Sequence, residues 1–300
     1  MRKLVAAGAG MLALVAFPAP AAAATRHVWI AAVPTTWNVV PNERNAIEGE
    51  RYTVDKTTMR TVVYERFTRN WKRKLPAQTR IPGPLIKARV GDDIFIHFKN
   101  KDTRFKRPHS MHFHGVHYPF GSDGSFIPGF SGAGADVMPG KSFTYQLHAG
   151  ADSAGVWPYH DHSPSMMDSI AGGMYGAVSI LPQGVPRAKR EFVTFFESHL
   201  GFETINGHAF VGNTPVLKSR VGDSVQWDVL ALGDEHHTFH VHGHRWRAAD
   251  GTPRDTQTVG PAESFRIRWR EDAPGTWLYH CHVEDHMMRG MIGLYRVARK

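Results

Sequence analysis

The chain has one cysteine, Cys281, in 300 residues. It can form no internal disulfide, so core packing and bound groups must stabilise it. Beyond the amino terminus it has no apolar run long enough to cross a bilayer. No long segment has a helical hydrophobic period either, which leaves an all-β reading. The 27 acidic residues are outnumbered by 36 basic ones, giving a formal charge of +9. The basic residues are scattered, so the excess bears on solubility and steering and does not indicate a nucleic-acid partner. Residues 1–24 read as an export signal. Arg2 and Lys3 precede the apolar run Leu4–Phe17, and Ala21–Ala24 resemble a cleavage region. The mature chain is therefore expected to be secreted, with no membrane span.

Short segments rich in Val, Ile, Phe, Tyr and Thr alternate with Gly, Pro, Asp and Asn turns. In the first half these are Val28–Val33, Arg60–Phe67, Ile94–Phe98, Ser142–Leu147 and Tyr175–Ile180. In the second they are Phe192–Phe196, Ser224–Leu230, Ser264–Trp269 and Ile292–Val297. Strands of this length and spacing predict β-sandwiches. The sequence also repeats itself. Pro84–Asp92 returns as Pro215–Asp223, His109–Gly115 as His237–Gly243, Trp157–His162 as Trp277–His282, and Gly173-Met174 as Gly290-Met291. Four matches in one order predict two copies of one sandwich, 25–182 and 183–300, joined at the Pro/Gly stretch Pro182–Pro186.

Histidine is the abundant residue, with 19 copies. Four His-x-His motifs stand in matching places: His112/His114, His160/His162, His240/His242 and His280/His282. On a strand each pair projects two imidazoles to one face, about 6.6 Å apart at ~3.3 Å per residue. That spacing suits two neighbouring metals better than one. In the last motif Cys281 lies between the histidines and points to the opposite face. His286 and Met291 follow it, and His237 precedes His240 by three. Thiolate, two imidazoles and a weak thioether are the donors of a blue-copper site, here His237, Cys281, His286 and Met291. In the first copy Asp161 replaces Cys281 and Met166 replaces His286, so no blue site is expected there. His109 reads as structural or as a neighbour supporting a ligand, and Asp161 as structural and not a ligand.

These motifs, with His-Cys-His-x3-His-x4-Met in the last, resemble the multicopper oxidases. The two-domain length, with a blue site only in the second domain, is similar to the small bacterial laccases. The resemblance implies two tandem cupredoxin-like Greek-key sandwiches and about four coppers per chain. It implies that His112 and His240 bind a type 2 copper, and that His114, His160, His162, His242, His280 and His282 bind a type 3 pair. Tyr118 would be a redox-active or hydrogen-bonding neighbour of this cluster, and Asp123 a proton donor. Asp255 is either a further acid near it or a turn residue. The implied activity is one-electron oxidation of phenolic or aromatic reductants at the type 1 copper, coupled to four-electron reduction of dioxygen to water. Each domain holds four of the eight cluster histidines, so the cluster must form where a first domain meets a second. Resemblance to the family's three-domain members implies a homotrimer with clusters between subunits. The alternative is a monomer whose two domains close the cluster internally. Three rivals stand beside this reading. In a copper nitrite reductase the blue site would lie in the first domain, where Asp161 replaces the cysteine. A metal-ion oxidase could use Met166-Met167 and Met287-Met288 for soft Cu(I). A bare electron carrier leaves eight histidines unexplained.

Overall fold

The computed structural model describes residues 23–77 and 79–300. The export-signal reading therefore lies outside the described residues, apart from Ala23 and Ala24. Among the described residues no helix is long and apolar enough to cross a membrane.

Each stretch read as a strand is one. In the first half, one sheet runs in the order Thr58–Phe67, Thr25–Asn38, Asp93–Asn100 and Ser142–His148. The sheet facing it runs Ile86–Arg89, Tyr175–Leu181, Gly155–His160 and His112–Phe113. The second half repeats this order with Phe202–Ile205, Arg190–His199, Ser224–Ala231 and Ser264–Arg270. Its facing sheet runs Val216–Arg220, Ile292–Ala298, Gly275–Cys281 and His237–Val241, with Thr256–Val259 added at the edge. In each half the first strand lies antiparallel to its sequence neighbour and parallel to a later strand. These crossovers make each half a Greek-key sandwich.

Burial follows from where each sheet sits. Asp93–Asn100 alternates buried and more exposed residues, because one face packs on the core and the other meets water. All seven residues of Tyr175–Leu181 are buried. Its sheet is covered on one side by its own partner sheet and on the other by the second domain. Val63, Val156, Tyr175 and Ala177 pack there with Phe195, Leu230 and Leu232. A polar seam runs beside this apolar contact. The Arg266 guanidinium donates to Asp228 Oδ1 at 2.7 Å and to the Ile180 carbonyl at 2.8 Å, and Ser179 Oγ donates to Asp228 Oδ2 at 3.2 Å. Each charged group is thus paired as it leaves water.

The repeat extends to single hydroxyls. Tyr159 and Tyr279 are fully buried. Each donates to a proline carbonyl at 2.7 Å, Pro84 in one domain and Pro215 in the other. Each ring lies against a glycine on the neighbouring strand. A Cβ on Gly176 would stand 2.3 Å from Tyr159 Oη, and one on Gly293 would stand 2.5 Å from Tyr279 Cζ. Gly176→Ala and Gly293→Ala should each destabilise the fold by about 1–3 kcal/mol through overpacking. Denaturant melts of the two variants test this, and unchanged midpoints in both would refute it.

Candidate metal centres

In the second domain the strand Gly275–Cys281 ends at the thiol. The chain then turns and forms a short helix, Glu284–Met288. That helical turn swings His286 back, so that its Nδ1 lies 3.7 Å from Cys281 Sγ. His237, at the start of His237–Val241, brings its Nδ1 within 3.8 Å of the same sulfur and 3.1 Å of His286 Nδ1. Gly290 closes the turn at φ 124, where a Cβ would stand 2.5 Å from Ala209 Cβ. Met291 then returns beside Cys281, whose N–H donates to the Met291 carbonyl at 3.1 Å. Met291 and Cys281 are fully buried in one core cluster.

Burial pushes the Cys281 thiol up, and hydrogen bonds from backbone N–H groups, led by Thr238, oppose this. The Thr238 N–H lies 3.3 Å from the sulfur. His286 Nε2 lies 2.7 Å from Glu235 Oε2. Donation from Nε2 to this carboxylate leaves the Nδ1 lone pair facing the thiol, the arrangement that orients a metal-binding imidazole. Desolvation holds His237 down to about 3, so it stays an unprotonated ligand.

The eight paired-motif histidines fall into two half-sets. In the first domain His114 Nε2 and His160 Nε2 are 3.2 Å apart, and in the second His242 Nε2 and His280 Nε2 are 3.1 Å apart. The nearest nitrogens thus come from neighbouring strands and not from one His-x-His pair. Within the motifs the ring centroids are 5.0, 5.7, 5.2 and 5.4 Å apart. The strand-spacing estimate does not hold, because each motif straddles a strand end: His114, His162, His242 and His282 lie just beyond His112–Phe113, Gly155–His160, His237–Val241 and Gly275–Cys281. Main-chain carbonyls orient the rings: His112 Nδ1 donates to Asp123 O and His240 Nδ1 to Asp255 O, each at 2.7 Å. His160 Nδ1 and His280 Nδ1 do the same to the carbonyls of Asp161 and Cys281, at 3.0 and 2.8 Å. Each is left with Nε2 for a metal. Among the described residues, the groups of closely placed ligand atoms draw on one domain or the other and never on both half-sets.

Asp123 places a carboxylate oxygen 3.6 Å from His112 Nδ1. The Tyr118 ring centroid lies 6.2 Å from that of His112, and burial followed by the Asp123 charge raises the Tyr118 phenol. Asp255 is exposed and meets His240 through its carbonyl. In the first domain Asp161 Oδ2 lies 2.9 Å from His109 Nδ1, and Asp161 Oδ1 accepts the Ser110 N–H at 2.8 Å. A fully buried carboxylate so occupied fills the place that Cys281 holds in the second domain.

The sequence reading passed over three acids. Glu203 is fully buried and Glu197 nearly so, and each keeps one carboxylate oxygen without a hydrogen-bond partner. Burial, followed by the charges of Glu203, Asp234 and Glu235, pushes Glu197 up to about 8. Glu203, Glu235 and His286 bring ligand atoms within 4.8 Å of one another. The only sequence signal was the acidic pair Asp234-Glu235 just before His236-His237. Glu203 comes from another strand and gave none.

Both halves of the chain match multicopper oxidase family models, over residues 65–184 and 186–300, and the chain belongs to that family. It is 29% identical to the ferroxidase HEPHL1 of Homo sapiens, over 91% of this chain and 29% of the relative. It is 31% identical to a probable nitrite reductase-hydroxylamine oxidoreductase fusion protein of Kuenenia stuttgartiensis, over 72% of this chain and 27% of that protein. The chain thus spans less than a third of these curated relatives. A crystal structure of a multicopper oxidase superposes with a TM-score of 0.71 at 27% identity, covering 91% of this chain and 89% of that one. Family membership makes copper the metal, and the donors fit it: thiolate with two imidazoles in one place, imidazoles alone in the others.

Desolvation holds His114, His160 and His280 down to about 4, and His237 to about 3, against 6.5 for a free imidazole. Depressed values in the fold mean that the unfolded chain binds more protons below pH 6.5. The stability these groups contribute is present above about pH 6.5 and is lost as pH falls toward 4. Copper-stripped protein should therefore show a falling urea midpoint across that window. A midpoint flat from pH 6.5 to 4 would contradict the burial of these rings.

Proposed function

We propose that the chain is an exported, laccase-like multicopper oxidase. It takes single electrons from phenolic or other aromatic reductants and reduces dioxygen by four electrons to water. One observation carries the reading: a single strand end turns Cys281 toward His237 and His286, and the adjoining His280 toward His240 and His242. Bound copper, about four ions per chain, would supply one-electron redox chemistry at the thiolate set and oxygen reduction at the imidazole cluster. The chain's own residues prepare both places. Thr238 N–H supports the sulfur as a thiolate, and Glu235 fixes the His286 tautomer. Asp123 and Tyr118 stand beside His112, where they can hold a proton for reduced oxygen. Cys281 and its two neighbouring histidines share one backbone, which joins the two sets covalently. Cys281→Ser should remove the intense thiolate-to-copper absorption and the phenol oxidation while the imidazole-bound copper persists. A blue, active variant would sink the assignment.

The separation of the half-sets supports a homotrimer in which a first domain of one chain meets a second domain of the next. Such a head-to-tail contact closes into a ring by rotation. The loop over the first half-set has the surface for it: Phe120 is 69% and Phe130 75% exposed. This loop is fixed to the histidines, since Phe126 N–H donates to the His162 carbonyl at 2.9 Å. Mixing a variant lacking His112 and His114 with one lacking His240 and His242 should restore part of the oxidase activity after subunit exchange. No recovery despite proven exchange, or full activity in a particle of single-chain mass, would defeat the ring.

A second reading, oxidation of a metal ion, is favoured by Glu203, Glu197 and Glu235 beside His286. A cation would offset the buried carboxylate oxygens that Glu203 and Glu197 each keep without a partner. Glu235 is exposed beside the His286 imidazole, with Glu203 and Glu197 buried behind it. Glu203→Gln separates the two readings. If metal ions are the reductant, Fe(II)- or Cu(I)-dependent oxygen uptake should lose about 10- to 100-fold in efficiency while phenol oxidation persists. Equal effects on both reductants would leave the acids a structural role.

A further inference from the structure

Four histidines outside the centres above lie at the outer surface of the first sheet. His27 and Trp29 on Thr25–Asn38 run in parallel register with Phe95 and His97 on Asp93–Asn100. Strand alternation sets them on the face opposite the buried Val28, Ile30, Ile94, Ile96 and Phe98. Their rings stack: His27 lies 5.1 Å from Phe95, and Trp29 lies 4.5 Å from His97. Further along this face His148 pairs with Asp93 at 2.8 Å, and His117 pairs with Asp152 at 2.8 Å.

Ring stacking does not by itself bring nitrogens together, yet His27 Nδ1 lies 3.0 Å from His97 Nε2. The second nitrogen of His97, Nδ1, lies 3.0 Å from Thr144 Oγ1 on the adjoining strand. The three pairs in the copper centres share this short separation, although their ring planes are inclined at 46–67° and those of His27 and His97 lie within 12° of parallel. Their nearest nitrogens stand 3.1, 3.2 and 3.1 Å apart, and an oxygen holds the far nitrogen of His286, His160 and His280. Two nitrogens on adjacent corners of a square-planar ion, with bonds of about 2.0 Å, lie roughly 2.8 Å apart.

We propose that His27 and His97 form a surface site for a divalent transition-metal ion of the imidazole-preferring class, cupric or zinc, completed by water. His27 is exposed and leaves the remaining coordination positions open to solvent. Burial, then the neighbouring His27 and Arg69, hold His97 below the usual imidazole range, so it is an unprotonated ligand at neutral pH. The site is independent of the reductant and of the oxygen cluster. The rival account is an imidazole–imidazole hydrogen bond within an aromatic stack, with no ion.

The test uses copper-loaded protein freed of loosely held metal and titrated with Zn(II), then separately with Cu(II). Metal analysis counts the bound ions and EPR reports the nitrogen ligands. The native protein should take up one further ion per chain at this pair. His27→Phe and His97→Phe keep a stacked ring but remove a ligand, and each should lose that ion while keeping the melting midpoint and oxidase turnover. Failure of the native protein to bind a further ion overturns the proposal. So does retention of the ion by both variants. A fall in the melting midpoint with no change in bound metal would assign the pair to the rival hydrogen bond.

Discussion

Everything chemical in this fold depends on the period of two along a β-strand. Adjacent residues on Gly275–Cys281 face opposite ways, so one peptide bond separates a core thiol from an imidazole that faces another strand. The sandwich supplies the rest. Its antiparallel pairings set His240 beside His280 and His112 beside His160. Register therefore sets the strand-borne ligands, and a slip by one residue would turn His112, His160, His240, His280 and Cys281 to the wrong face.

Each half-set is held from behind by main-chain carbonyls, groups that every residue carries. This explains how the two domains keep the same ring orientations although the residues supplying the carbonyls differ, Asp161 in one and Cys281 in the other. It also explains why the first domain tolerates losing its thiol. Asp161 contributes the same carbonyl, and its side chain is bound by His109, Ser110 and Ser163. A buried charge with that many partners is a satisfied one.

Much of this was legible in the sequence. The strands were, because segments rich in β-branched and aromatic residues stand between turn residues. The repeat was, because four motifs recur in order. The approach of His286 to Cys281 followed from ligand chemistry alone, since the helical turn of Glu284–Met288 that achieves it is too short to leave a hydrophobic period. The acids around His286 were not legible. Glu203 and Glu235 are contributed by different segments, and only the packing of Phe202–Ile205 under the site brings them together. The spacing within the His-x-His motifs was misjudged because it assumed an unbroken strand, whereas the second histidine of each pair lies beyond the strand's end.

The burial of Cys281 has a consequence for the chain before any metal reaches it. An un-ionised, solvent-shielded thiol is a poor nucleophile and a poor target for oxidants. The newly folded protein thus carries its single thiol in a protected form and has no second cysteine with which to cross-link internally. A bound copper ion would hold the same sulfur as the thiolate, and its binding would therefore release a proton.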